Sequence, residues 1–407
     1  MHPRLIGLPI LALLPALLLS PTAPAQESVI AQAATPAAQP PAARLTAIVV
    51  SATNAPLGVL GSDGLEHLEY DLLVTNAFSS PVTLGAVEVL AADGHPLLRL
   101  AGDALVAATQ PLLGMAPTVE IPASGTVAVM IDLAVAPDQV PSRVGHRLAY
   151  EIAPDAPGAS FIAHRRIDGP ELAVDPRPPV TIAPPVHGPG WLNANSCCDA
   201  LSIHRSIRNA VDGARIVKPE TFAIDWVLLR DGAAFSGTGE RPEQWFGHGA
   251  EITAVAPGTV VFVRDGLAEG APYSLPPVLE QPADAGGNQI IVRIAPDAWA
   301  FYAHLQPGSV AVAVGDEVAT GQPLGRLGNS GNSIAPHLHF GLLDGPDPMT
   351  ATSLPFVIDR YVLAGAVDPD AFVTVLTNAG PPELRAGGTR RPETGTLPLN
   401  LTVTDFR

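Results

Sequence analysis

The sequence predicts an all-β protein: an N-terminal Ig-like β-sandwich followed by a second domain built on an antiparallel β-sheet. Three observations carry this expectation. The 407 residues include 44 Pro and 38 Gly, which favours turns and short strands over long helices. Runs rich in β-branched or alternating residues recur along the chain with turn residues between them. Hydrophobic residues make up 47% and charged residues 15%, too apolar and too charge-poor for a wholly disordered chain.

The elements follow in order. Residues 1–25 read as a secretory signal peptide. Arg4 supplies a positive start, residues 5–19 form an apolar run, and Ala23-Pro24-Ala25 gives the small-x-small pattern before a cleavage site. The run is short for a membrane span and contains Pro9 and Pro15. The expectation is therefore no stable membrane insertion after signal cleavage, and a secreted or periplasmic bacterial protein. Residues 26–43, rich in Ala, Pro and Gln, read as a linker. Residues 44–173 form the sandwich, with strands expected at 45–50, 67–74, 82–90, 119–121, 125–133 and 146–152. Residues 174–199 are a Pro-rich connector. The second domain spans 200–375, with strands expected at 222–229, 251–256, 259–264, 289–294, 300–304 and 337–342. Residues 376–407 read as a C-terminal tail or an extra strand.

Composition excludes several functions. The formal net charge is −17 and Lys218 is the single lysine, so bulk charge offers nothing to nucleic acid. The same charge gives no steering toward anionic polymers. Cys197 and Cys198 are the only cysteines, which rules out a disulfide-rich scaffold.

The chemistry-bearing residues gather in the second domain. In a strand, residues two apart point to one side. His337 and His339 should therefore project together, with Leu338 and Phe340 turned the other way. Two imidazoles on one face after the Gly-rich turn Gly328-Asn329-Ser330-Gly331 suit a metal ligand beside a proton-transfer group. His304 lies on another expected strand, and Asp225 is a carboxylate inside an apolar run, a rare arrangement unless paired or bound to metal. Trp226, Tyr302 and Phe340 are read chiefly as core.

These motifs, in this order, resemble the lysostaphin/LytM-type zinc endopeptidases that cut peptidoglycan cross-links. The match runs over roughly 204–345 through Tyr302-Ala303-His304-Leu305, Val314-Gly315-Asp316-Glu317-Val318, Gly321-Gln322-Pro323-Leu324-Gly325, and Gly328 to Gly331 followed by Pro336-His337-Leu338-His339-Phe340. The resemblance implies the duplicated hybrid motif fold and one Zn2+ per chain. It further implies Asp225 and His339 as zinc ligands, His304 and His337 as catalytic histidines, and a peptidoglycan or peptide substrate. The chemistry it implies is peptide hydrolysis by zinc-activated water with histidine proton transfer.

The sequence departs from the family at one ligand. The family carries a histidine four positions before its aspartate; here that position is Thr221, and a neutral hydroxyl binds zinc poorly. His204 is the first choice to replace it, with His248 and the Cys197-Cys198 pair as alternatives. If no third ligand exists, the domain is a catalytically inactive relative that binds cell wall or a regulatory protein partner.

Overall fold

Residues 66–76 alternate apolar and polar side chains, as a strand with one face in a core should. The computed structural model describes residues 44–274, 279–376 and 387–407, with 373–376 as backbone only. Glu66–Asn76 is there an eleven-residue strand. It is flanked by Ile48–Ala52 and Thr126–Val135, with Thr109–Pro111 beyond and Leu57–Leu60 also paired to it. A second antiparallel sheet runs Arg166–Asp168, Arg143–Ile152, Val82–Leu90, Pro96–Ala101. Leu68, Tyr70, Leu72 and Val74 from the first sheet share a core with Val82, Leu84, Leu148 and Tyr150 from the second. The strand expected last, at 146–152, is followed by the short strands Arg166–Asp168 and Leu172–Ala173. The signal and linker readings, at 1–25 and 26–43, lie outside the described residues.

The polar face of Glu66–Asn76 is not in solvent. Glu69 and Asp71 are both 0% exposed. They meet Arg205, Arg208 and Lys218, all buried, from the chain beyond residue 200. Buried charge is tolerated only when paired, and removing one partner of such a pair costs about 3–5 kcal/mol. Leu57 and Val59 likewise pack into the core of the second part, among residues such as Val186, Phe356 and Leu397.

That second part is an eleven-stranded sheet. Its order is Glu317–Val318, Gly258–Arg264, Asn288–Ala295, Ala298–Leu305, Leu338–Leu343, Ile224–Leu228, Gly188–Ala194, Thr402–Phe406, Tyr361–Ala366 and Arg391–Glu393, with Ser353–Leu354 beside Leu338–Leu343. Five of the six strands expected in this part lie in that sheet, although His337 lies just before Leu338–Leu343; the sixth, Glu251–Thr253, pairs apart with Pro323–Arg326. The connector differs from expectation, and the tail segment carries the extra strand. The connector 174–199 contains the strand Gly188–Ala194, and the tail 376–407 contains Thr402–Phe406, which pairs between Gly188–Ala194 and Tyr361–Ala366. The reason is tertiary. Val403 and Phe406 find buried places, and Asn193 Nδ2 donates to the Thr402 carbonyl.

Trp226, Tyr302 and Phe340 are fully buried and stack on one another, Tyr302 against Phe340 at 5.1 Å and Trp226 against Phe340 at 5.7 Å between centroids. They are core residues, as read. No helix among the described residues is long and apolar enough to cross a membrane.

One ion-pair group in the sandwich makes stability depend on pH. His67 Nδ1 lies 2.8 Å from Asp132 Oδ1, and Nε2 lies 3.3 Å from Asp63. Burial pulls the imidazolium down, but these two carboxylates outweigh it and push its pKa from 6.5 up to about 9. A folded-state pKa above the unfolded one gives stability that is complete below pH 6.5 and lost as pH rises through about 9. The stability advantage of the parent chain over His67→Gln, from denaturant unfolding, is expected to be largest in acid and to shrink across that window. A constant difference would contradict the assignment.

Candidate metal centre

Strand register builds the floor of the site. Ile224–Leu228 pairs antiparallel with Leu338–Leu343 so that Asp225 stands opposite His339 and Trp226 opposite Leu338. Because side chains alternate, Leu338 and Phe340 enter the core while Asp225 and His339 share the other face. Asp225 Oδ1 lies 2.9 Å from His339 Nδ1 and 3.4 Å from His337 Nε2. His337 Nδ1 donates to the Ala335 carbonyl at 2.7 Å.

His304 reaches this face by a distortion. Its neighbour Tyr302 points into the core, where its hydroxyl accepts from Val255 N. Simple alternation would send His304 the same way. Instead the pairing of Asn288–Ala295 with Ala298–Leu305 shifts register between Asn288 and Ile290, and His304 adopts φ +64°. A bulge and a left-handed backbone at a non-glycine residue re-aim the side chain. His304 Nδ1 then donates to the Ser330 carbonyl at 2.8 Å, and its ring lies 4.7 Å from that of His337.

His204 arrives from outside the sheet, on the short turn Ile203–Ser206. Its Nδ1 donates to the Ala223 carbonyl at 3.1 Å, and its Nε2 lies 3.2 Å from Asp225 Oδ2. Its ring is 4.9 Å from that of His339. The structure thus brings together all five residues singled out from the sequence: His204, Asp225, His304, His337 and His339. Two overlapping groups have ligand atoms within 4.8 Å of one another: His204, Asp225, His339, and His304, His337, His339. A third such group, His67, Glu69 and Cys198, lies elsewhere; its sulfur is consumed in a disulfide.

The alternatives to His204 are placed otherwise. His248 pairs with Glu269 at 3.1 Å. Cys197 and Cys198 are bonded to each other and buried. Thr221 is buried. Two further groups were not singled out from the sequence. Asn195 Nδ2 donates to Asp225 Oδ2 at 2.8 Å, and Glu220 Oε2 lies 3.9 Å from His204 Nε2. Glu220 could have been noticed as the carboxylate beside Thr221. Asn195, thirty residues from Asp225 in sequence, carried no local signal.

The electrostatics follow from this crowding. Asp225 is buried, which alone would raise its pKa, yet His204 and His337 hold it well below the usual carboxylate range. Burial lowers His204, but Asp225 and then Glu220 push it up to about 9. Burial also lowers His337, and Asp225 more than compensates. His304 is held well below its ordinary value, first by burial and then by the neighbouring His337 and His339.

The donor set fits zinc. Two imidazoles and one carboxylate are a catalytic zinc complement, and ligand atoms sharing a tetrahedral zinc stand about 3.3 Å apart. Asp225 meets His339 through Oδ1 at 2.9 Å and His204 through Oδ2 at 3.2 Å, and ligand atoms of the three residues lie within 4.8 Å of one another. The Ala223 carbonyl holds His204 Nδ1, the usual outer partner of a ligating histidine, and turns Nε2 toward Asp225.

Residues 245–350 match the family model described as peptidase family M23. Over that segment the chain is similar to peptidases of this family. The matched segment includes His304, His337 and His339, while His204 and Asp225 lie before it. Among solved structures, the catalytic domain of lysostaphin from Staphylococcus simulans is 20% identical, over 41% of this chain and 88% of that one, with a TM-score of 0.22. A putative M23 peptidase from Pseudomonas aeruginosa is 13% identical, over 67% and 87%, with a TM-score of 0.23. A zinc-containing peptidase from Vibrio cholerae is 14% identical, over 70% and 81%, with a TM-score of 0.21. None of the curated proteins matches the chain.

The turn that holds His304 is intolerant of side chains. At Gly331, with φ +77°, a Cβ would stand 2.3 Å from Gly287 N and 2.6 Å from the Ala285 carbonyl. Gly331→Ala is expected to lower stability by about 1–3 kcal/mol, the range for forced backbone strain, and to displace the Ser330 carbonyl from His304. A thermal melt coinciding with that of the parent would show that the turn is not so confined.

Proposed function

We propose that the chain is a secreted or periplasmic zinc metalloendopeptidase that hydrolyses peptide bonds in peptidoglycan cross-links. The observation that supports this most is the convergence of His204, Asp225 and His339 within 4.8 Å. That group replaces the family histidine missing at Thr221.

In this reading His204, Asp225 and His339 hold one zinc per chain. When bound, zinc supplies Lewis acidity and lowers the pKa of water toward about 7. The chain's own residues do the rest. Asn195 fixes one oxygen of Asp225, and the Ala223 carbonyl fixes the tautomer of His204. His304 and His337 each give Nδ1–H to a backbone carbonyl, so each presents Nε2 to the site. An imidazole so oriented takes a proton from attacking water or returns one to the leaving amine. The left-handed backbone at His304 and the turn at Ser330 keep these rings in place before substrate arrives.

The test begins with zinc per chain by elemental mass spectrometry on purified protein. Near-stoichiometric zinc is expected, with most of it lost in His204→Ala and in His339→Ala. Cleavage of cross-linked peptidoglycan should fall at least about a hundredfold in His339→Ala and vanish on chelation, returning with added zinc. A chain that takes up no zinc on incubation is instead a binding relative without activity, and a His339→Ala variant with full activity removes the site assigned here.

A further inference from the structure

Asp225 and His339 are set by sheet register, but His204 is not on the sheet. It sits on the single turn Ile203–Ser206, and so short a turn does not hold its own position. The residues around it are held from the sandwich. Arg205, the next residue, contacts Glu69, lies 3.8 Å from Asp71, and donates to the Ile131 carbonyl at 3.3 Å. Ser206 Oγ accepts from Gln110 Nε2 at 2.9 Å. Arg208 Nε donates to Asp71 Oδ2 at 2.7 Å, and Lys218, two residues before Glu220, donates to Asp71 Oδ1. Glu69, Asp71, Gln110 and Ile131 all belong to the five-stranded sheet of the sandwich. Both carboxylates come from the strand face that simple alternation would leave in water, and both are fully buried.

We infer that Glu69 and Asp71 of the sandwich are positioning residues for His204, so that the metal centre is complete only while this sandwich face is docked. The inference rests on the reading that His204, Asp225 and His339 hold zinc. It assigns the N-terminal domain a role in the site without any sandwich residue touching the metal. The physical warrant is that buried ion pairs are geometrically exacting. Their charges are stable only where partners meet them, so they locate the segment that carries them.

The test uses the full chain and zinc itself. Zinc affinity is measured by chelator competition, and the ligand set is read from the absorption spectrum of the cobalt(II)-substituted protein. Asp71→Asn, folded by circular dichroism, is expected to bind zinc about tenfold or more weakly, the scale for lost outer-shell support. Its cobalt spectrum should move toward that of His204→Ala. The double variant Asp71→Asn/His204→Ala should bind no more weakly than His204→Ala alone, because the effect passes through His204. A purely structural interface would instead lower the melting temperature and leave affinity and spectrum unchanged, which overturns the proposal. If Asp71→Asn does not fold, Gln110→Ala decides with the same readouts: weaker zinc binding supports the proposal, and unchanged binding overturns it. Parent-like zinc affinity in His204→Ala would overturn the zinc reading as well. Loss in His204→Ala with no loss in folded Asp71→Asn overturns only the positioning role.

Discussion

The carboxylate of Asp225 is the constraint around which the site is built. It is 8% exposed, and a carboxylate so placed must be compensated by donors or charge. Three imidazoles and one amide do this: His204, His337, His339 and Asn195. Asn195, His204 and the His337–His339 pair come from three stretches of chain, so the compensation exists only when strand, turn and loop are all in place. The register that sets Asp225 opposite His339 is equally strict. A slip of one residue in Ile224–Leu228 would send Asp225 into the core and Trp226 out of it. The core aromatics on one face thus fix the polar cluster on the other.

A second buried charge cluster, far from solvent, joins the two sheet systems. Glu69 and Asp71 face Arg205, Arg208 and Lys218. Such a cluster adds less net stability than the same volume of apolar packing. What it adds is uniqueness of placement, since the charges are satisfied in one docking arrangement. The apolar contacts of Leu57 and Val59, and the bonds linking Leu60 and Ser62 to Leu397, bring the same surfaces together with less directional demand.

Much of this was legible along the chain because period and spacing are local. Alternation marked the strands at 67–74 and 82–90, and a β-branched run marked the one at 289–294. The spacing of His337 and His339, with Leu338 and Phe340 between, already implied one polar and one apolar face. Asp225 stood out as a charge inside an apolar run. Other features were marked less fully. Thr402–Phe406 was read as tail or extra strand, and its place in the sheet comes from pairing with Tyr361–Ala366 and with Gly188–Ala194, where Asn193 and Thr402 stand 209 residues apart. His304 was singled out from its motif, yet its strand alternation points with Tyr302 into the core. Only the bulge opposite Gln289 and the φ of +64° turn it to the site. Asn195 and Glu220 became visible only when the chain folded back on Asp225.

By itself, the sequence determined an all-β chain with a histidine and aspartate constellation, because hydrophobic period and motif spacing are properties of neighbouring residues. It also exposed the gap at Thr221 and named His204 among the residues able to fill it. Only the tertiary structure shows which of His204, His248 and the cysteine pair lies beside Asp225 and His339. That placement depends on where the single turn Ile203–Ser206 comes to rest, and the segment around it is held by long-range pairing of Glu69 and Asp71 with Arg205, Arg208 and Lys218. Local pattern carries no record of such pairing, because each partner taken alone reads as an ordinary solvated charge.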